Sequence, residues 1–265
     1  MFKIAAIQLN STDKVTENLE QSAQLIRQAA TQGAQLVVLP EMFAIMGHTP
    51  EDKLQVKEPL GSGPIQDFLA TQAREHKIWL IGGTIPIAAP NSNKVYAANL
   101  LINDQGQCVA QYNKIHLFDV ILSQTLAYKE STTTLPGSEL VVADTPFGKL
   151  GLSVCYDVRF PEQYRTLGAQ GAQILVVPSA FTFPTGQAHW EVLLRARAIE
   201  NFCYVIAANQ VGVQADNRRS FGHSMIIDPW GKVLANAGEQ EPMVIVAEID
   251  LNYVKECRAR IPSAT

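Results

Sequence analysis

Long apolar runs, paired cysteines and an excess of positive charge are all missing from this sequence, and each absence removes a class of function. Charged, polar or proline residues interrupt every apolar stretch before the roughly 18 residues that a membrane-crossing helix needs, so no membrane partner is expected. Lys and Arg number 21 against 25 Asp and Glu, a formal charge of −4. With no basic stripe to neutralise phosphates, nucleic acid is not an expected partner either. The four cysteines, at 108, 155, 203 and 257, form no CxxC pair, which fits a reducing compartment. The histidines at 48, 76, 116, 189 and 223 show neither HxxH nor HxxxH spacing, so no metal site is expected. GSG at 61–63 lacks the rest of a phosphate-binding loop, and no cofactor is called for. The apolar part of the N-terminal MFKIAAIQLNSTDK is too short for a signal peptide and has no small-residue cleavage site. The expected location is therefore the cytoplasm.

What is present suits a folded domain. Hydrophobic residues make up 47% of the 265 and charged residues 17%, well clear of a disordered composition. A chain of this length can bury about 70–75% of its unfolded surface without a disulfide or metal staple. No low-complexity linker divides it, so residues 1–265 read as one domain. Strands are expected at 2–9, 35–40, 77–83, 149–154, 173–178 and 203–209. Hairpins are expected around NDQG (103–106) and around the PWG of HSMIIDPWGKVLAN (223–236). Helices are expected near 17–32, with Leu19, Ala23, Ile26 and Ala30 on one face, and at 62–76 and 187–201. In the last of these Trp190, Leu194 and Ala198 form a core stripe, and Glu191 pairs with Arg195 one turn on. Strands this apolar need helices over at least one face, which makes the class α/β.

An internal duplication runs through the pattern. GAQLVVLPEMF (33–43) matches GAQILVVPSAF (171–181) at an offset of 138. WLIGGT (79–84) and LLINDQGQCVA (100–110) match YVIAAN (204–209) and MIIDPWGKVLA (225–235) at a common offset of 125. Three similar segments in one order indicate two pseudo-equivalent halves. Glu41 falls opposite Ser179, so any chemistry at 41 is not duplicated.

Three reactive side chains sit just after apolar strands: Glu41 after LVVLP, Lys114 after CVAQYN, and Cys155 after KLGLSV. Ligands of open α/β sheets gather at the carboxyl ends of strands, where these three could converge. A cysteine nucleophile needs a base to take its proton and donors to hold the oxyanion it creates. Glu41 suits the first role and Lys114 the second. A cation about 4 Å from a thiolate is worth roughly 4 kcal/mol at an effective dielectric near 20, enough to activate a thiol before desolvation is counted. The plainer alternatives are a buried cysteine acting as a small hydrophobe and charges that begin solvated loops. Cys108 and Cys203 in strands and Cys257 in a C-terminal helix are read as packing residues.

At these same residues the chain resembles the nitrilase superfamily of carbon–nitrogen hydrolases, from KIAAIQL near the N-terminus to IDLNYVKECRARIP near the end. LPEMF carries the family's general-base glutamate onto Glu41, YNKIHLFD its lysine onto Lys114, and SVCYDVRFPE its nucleophile onto Cys155. A second family glutamate, which positions substrate or lysine, falls on Glu130 in YKESTTTLPG; without the resemblance it would read as a solvated loop carboxylate. The resemblance implies a four-layer α-β-β-α sandwich of two pseudo-symmetric halves, and a homodimer or higher homo-oligomer. Tyr156-Asp157 after the cysteine, TGQAHWEVLLRARAIE (185–200) and RRSFGHSMIIDPWG (218–231) are most similar to deaminated-glutathione amidases. The implied role is repair of a mis-transaminated metabolite. Alternatives are an ω-amidase acting on α-ketoglutaramate, a nitrilase, an N-carbamoyl-amide hydrolase, or an interaction protein that has lost catalysis. Relatives usually run past this chain's final IPSAT with further basic residues, and any part that tail plays in a dimer is left open.

The implied chemistry is amide hydrolysis through a cysteine thioester. Glu41 serves as base, and Lys114 with the Tyr156 N–H receives the oxyanion. An anionic small-molecule amide would need a further cation. Arg159 is the expected one, because a guanidinium forks onto a carboxylate; an Arg159–Glu162 structural pair is the alternative. Phe181, Thr182, Thr185 and His189 are expected in a loop that forms a substrate wall. His116 is either a partner behind the site or a packing residue.

Overall fold

The computed structural model describes residues 1–262 apart from 123, 125, 126 and 240. Two sheets carry the fold. In the first, Met243–Ile249, Phe2–Gln8, Ala34–Val38, Trp79–Ile81 and Val95–Ile102 lie side by side, and Val95–Ile102 also pairs with Ile85–Ala88 and Cys108–Asn113. In the second the order is Val233–Asn236, Met225–Ile227, Tyr204–Ala207, Ile174–Val176, Gly148–Leu152 and Val142–Thr145. Each sheet has a parallel centre of three strands with antiparallel neighbours outside it.

Alternation along the strands sorts side chains into layers. Ala5, Ile7, Val37 and Leu39 pack with Ile26 and Ala29 of helix Val15–Thr31 and with Leu69 and Ala73 of helix Pro64–His76. Their neighbours Ile4, Ala6, Leu36 and Val38 turn the other way and join Leu150, Leu152, Ile174 and Val176 of the second sheet. That same cluster continues to Tyr164 and Leu167 of helix Pro161–Ala169 and to Trp190, Leu194 and Ala198 of helix Phe183–Asn201. The arrangement is helices, sheet, sheet, helices. Both outer layers are helical because every central strand is apolar on both faces.

The two halves repeat down to single hydrogen bonds. Leu36 faces Trp79 as Ile174 faces Tyr204, and Leu80 faces Ile102 as Val205 faces Ile227. Leu39 N–H donates to Ile81 at 3.0 Å as Val177 N–H donates to Ile206 at 2.9 Å. Both hairpin turns close alike, Gly106 N–H onto Asn103 and Gly231 N–H onto Asp228.

Three sequence expectations need correction. Helix Phe183–Asn201 begins four residues earlier than expected, because Pro184 fits a first helical turn whose amide needs no partner. In helix Val15–Thr31 the fully buried residues are Asn18, Ser22, Ile26 and Ala29, whereas Leu19, Ala23 and Ala30 are only partly covered. Asn18 is inside because its amide donates to the Thr12 and Ala44 carbonyls, tying down two loops. Cys108 is no packing residue, since it opens its strand and is exposed; Cys203 and Cys257 are buried as expected.

Candidate active site

Each reactive residue is delivered by the end of a strand. Ala34–Val38 runs into Glu41, whose carbonyl accepts from Gln210 Nε2 at 3.0 Å. Cys108–Asn113 delivers Lys114, pinned by its N–H to the Ala97 carbonyl at 3.0 Å. Gly148–Leu152 delivers Cys155, whose N–H reaches the Pro178 carbonyl at 2.9 Å. Glu130 opens a single helical turn, Glu130–Thr132, stitched to Phe118. The structure brings all four together at a cavity of about 180 Å³, lined also by Tyr156, Phe181, Thr182 and Thr185.

Lys114 is buried, and its ammonium donates to Glu41 Oε1 and to Glu130 Oε2, each at 2.8 Å. Glu41 Oε2 accepts from the Ala180 N–H at 2.8 Å, so the second half holds the carboxylate that the first half supplies. Burial alone would lower the Lys114 pKa, but Glu130, Glu41 and Cys155 outweigh it and raise it well above the ordinary value. Burial would likewise lift Glu130, yet Lys114 and Lys53 hold it below the ordinary carboxylate range.

The thiol behaves differently from the expectation. Burial pushes the Cys155 pKa well up, the Glu41 charge adds to that, and Lys114 opposes it without prevailing. The reason is charge balance. Lys114 already faces two carboxylates, so little of its field is left to stabilise a thiolate. The resting site therefore holds a protonated thiol beside a carboxylate able to remove its proton. Cys155 itself sits at φ 46°, a left-handed conformation that costs a non-glycine residue about 1–3 kcal/mol and that clusters at functional sites.

The sequence reading missed Asp157. It is fully buried, and its Oδ2 accepts from the Tyr112 hydroxyl at 2.6 Å and the Val154 N–H at 2.9 Å. Its Oδ1 accepts from the His116 N–H at 3.0 Å and lies 2.8 Å from His116 Nδ1. His116 also stacks on Phe160, with centroids 3.5 Å apart. One carboxylate thus ties the Cys155 turn to the segment carrying Lys114, and His116 is a partner behind the site. Glu41 has similar support in Thr84, whose hydroxyl accepts from the Met42 N–H at 2.9 Å.

Arg159 and His189 lie outside the cavity lining. Arg159 stacks over Tyr156 and Phe181, and its Nη1 lies 3.2 Å from His189 Nδ1. Among the described residues it makes no ion pair with Glu162. Because helix Phe183–Asn201 starts early, His189 lies one helical turn beyond Thr185 on the same face; Thr185 lines the cavity, while His189 is carried past it and is exposed. The cations that do line it are Lys53, Lys129 and Arg218, together with Lys114. No group of His, Cys, Asp and Glu able to hold a metal occurs among the described residues.

A buried Glu–Lys–Glu cluster facing a cysteine, between paired α/β layers, holds the parts that nucleophilic hydrolysis requires. The carbon–nitrogen hydrolase family model matches residues 3–259, and the chain belongs to that family. It is 46% identical over 265 residues to a protein of Synechocystis sp. named deaminated glutathione amidase, covering 99% of this chain and 96% of that one. A human protein of the same name is 44% identical over 263 residues, covering 98% and 80%. The crystal structure of the C. elegans NitFhit protein superposes with a TM-score of 0.92 at 40% identity, covering 98% of this chain and 63% of that one.

Proposed function

We propose that the protein hydrolyses deaminated glutathione, cleaving its amide C–N bond through a thioester on Cys155. The observation that carries this is the geometry of Glu41, which touches Lys114 and faces the protonated Cys155 in one cavity. The relatives' shared name supplies the substrate.

Glu41 removes the thiol proton as sulfur attacks the carbonyl carbon. The oxyanion is received by Lys114, whose ammonium has a third proton beyond the two given to Glu41 and Glu130, and by the Tyr156 N–H. Each such donor is worth about 10²–10³ in rate. Glu41 passes its proton to the leaving nitrogen, the C–N bond breaks, and the thioester forms. A water then loses its proton to Glu41, attacks the thioester carbonyl and releases the acid, and the sulfur regains the proton. Glu130 keeps Lys114 oriented throughout.

The whole chain works as one domain in this reading, located in the cytoplasm. Among the described residues no helix is long and apolar enough to cross a membrane. Homodimerisation is supported by an apolar outer strip: Val192 is 69% exposed, Trp230 47% and Ile199 44%, and large apolar groups left in the open mark contact surfaces. Val192→Glu with Ile199→Glu is expected to halve the mass seen by sedimentation.

The test of the activity is a ranking by kcat/KM of deaminated glutathione, α-ketoglutaramate and a simple aliphatic nitrile. Deaminated glutathione is expected first. Preference for the nitrile overturns the reading.

A further inference from the structure

We propose that Arg218 and Lys53 form the receptor for a substrate carboxylate in this cavity, the position for which the sequence suggested Arg159. The assignment rests on the amidase function proposed above and names the groups that select an anionic substrate.

Charge balance is the first argument. The cavity is lined by Lys53, Lys114, Lys129 and Arg218 against Glu41, Glu130 and Asp216, one positive charge in excess on a chain whose total is −4. Lys114 cannot supply that excess, since two carboxylates already share it at 2.8 Å. Lys129 is exposed at the rim, where water screens it.

Lys53 and Arg218 differ from these. The Lys53 ammonium donates to the Thr134 hydroxyl at 2.9 Å, and among the described residues no carboxylate comes within ion-pair distance of it. Burial lowers its pKa, Lys114 and Arg218 add to that, and Glu130 and Glu41 oppose it at longer range. An arriving carboxylate would restore the neutralisation that burial denies it. Arg218 is held in a turn, its N–H on Asp216 Oδ1 at 2.9 Å and its Nη2 3.4 Å from Asp216 Oδ2. The guanidinium also sits over the Tyr128 ring at 5.6 Å. Its Nε is shut off from solvent yet has no hydrogen-bond partner. A charged donor left buried and unused is costly, and a carboxylate in the cavity is the acceptor that would satisfy it. The glutathione skeleton carries a carboxylate at each end, so either the acyl or the leaving portion could present one.

The test compares glutaramate with pentanamide, which are alike except that a carboxylate replaces a methyl at the far end from the amide. The readout is the ratio of their kcat/KM values, so that a general loss of fold or chemistry cancels. Arg218→Gln is expected to lower this ratio at least tenfold, through KM, and Lys53→Met to lower it in the same direction. Arg218→Lys should retain part of the preference. A ratio unchanged in both Arg218→Gln and Lys53→Met overturns the assignment. If the wild type cleaves neither of these short amides, the amidase reading is judged on deaminated glutathione alone. The receptor is then decided by calorimetric titration of glutarate into Cys155→Ala with and without Arg218→Gln. Weakening of at least tenfold supports it, and equal affinity overturns it.

Discussion

The Tyr112 hydroxyl donates to Asp157 Oδ2 at 2.6 Å, joining the strand that leads to Lys114 with the turn that presents Cys155. Both groups are fully buried, and Gln163 Nε2 and the Ile115 N–H converge on the same hydroxyl at 2.9 and 3.2 Å. Asp157→Asn would set an amide N–H against donors that now point at a carboxylate oxygen. A loss of about 2–4 kcal/mol is expected in urea unfolding. In steady-state kinetics kcat should fall while KM holds, because the substrate cavity is not lined by Asp157. A drop in stability with unaltered kcat would show that the tie serves folding only.

Cys155→Ala should keep its melting temperature within a few degrees and lose amidase turnover by at least about 10³-fold. Equal rates in variant and wild type would eliminate the thioester route.

The raised thiol pKa sets the pH dependence of alkylation. Burial and the Glu41 charge place the Cys155 pKa above its ordinary value of 9.0, so the reactive thiolate grows as pH rises. Inactivation by iodoacetamide should therefore accelerate across pH 7–9 without levelling off. Glu41→Gln removes a negative neighbour and should bring the plateau to lower pH, even as it abolishes turnover. A plateau below pH 8 in the wild type would mean that the thiolate exists beforehand.

Gly83 has φ 54°, and a Cβ there would lie 1.9 Å from the Pro40 carbonyl oxygen. Gly83→Ala must displace the backbone just before Glu41, and a loss of about 3 kcal/mol or more is expected. Gly238 is the control. Its φ is 70° with nothing within 4 Å of the added carbon, so Gly238→Ala should cost only about 1 kcal/mol of conformational strain. Thermal unfolding of the two variants side by side separates collision from strain.

Alkaline stability reports a different thiol. Burial lifts the Cys203 pKa from 9.0 to about 11, with Arg258 opposing. Between those values the unfolded chain releases a proton that the folded chain keeps, so this contribution is whole below pH 9 and is lost as pH climbs toward 11. Of the decline expected in the wild type over that window, this thiol accounts for about 2–3 kcal/mol. The decline should be shallower in Cys203→Ala.

The strands and the duplication were legible in sequence because both are periodic. The 138 and 125 offsets reappear as identical pairing registers. Glu41, Lys114 and Cys155 could be located because each ends an apolar run. Lys53, Arg218 and Asp157 could not. Lys53 lies among other charges in a short helix, Asp52–Gln55, and Arg218 adjoins Arg219 at the start of a quoted segment, and only tertiary packing distinguishes either from a solvated surface charge. Asp157 stood inside a quoted motif, yet its role depends on Tyr112 and His116, more than 40 positions away. Arg159 is the converse case: its spacing from Cys155 suggested reach, but its guanidinium is placed over the Tyr156 and Phe181 rings, outside the cavity lining.

The pairing of Phe2–Gln8 with Met243–Ile249 through seven residue pairs bears on how the chain is made. Until Met243–Ile249 has been made, one side of Phe2–Gln8 lacks the strand that covers it. An open apolar edge invites association with other chains. A product truncated before residue 243 would retain Glu41, Lys114, Glu130 and Cys155 in its sequence and still leave Phe2–Gln8 without its outer neighbour. Having the reactive residues is thus not enough without the distant strand that completes the sheet beneath them.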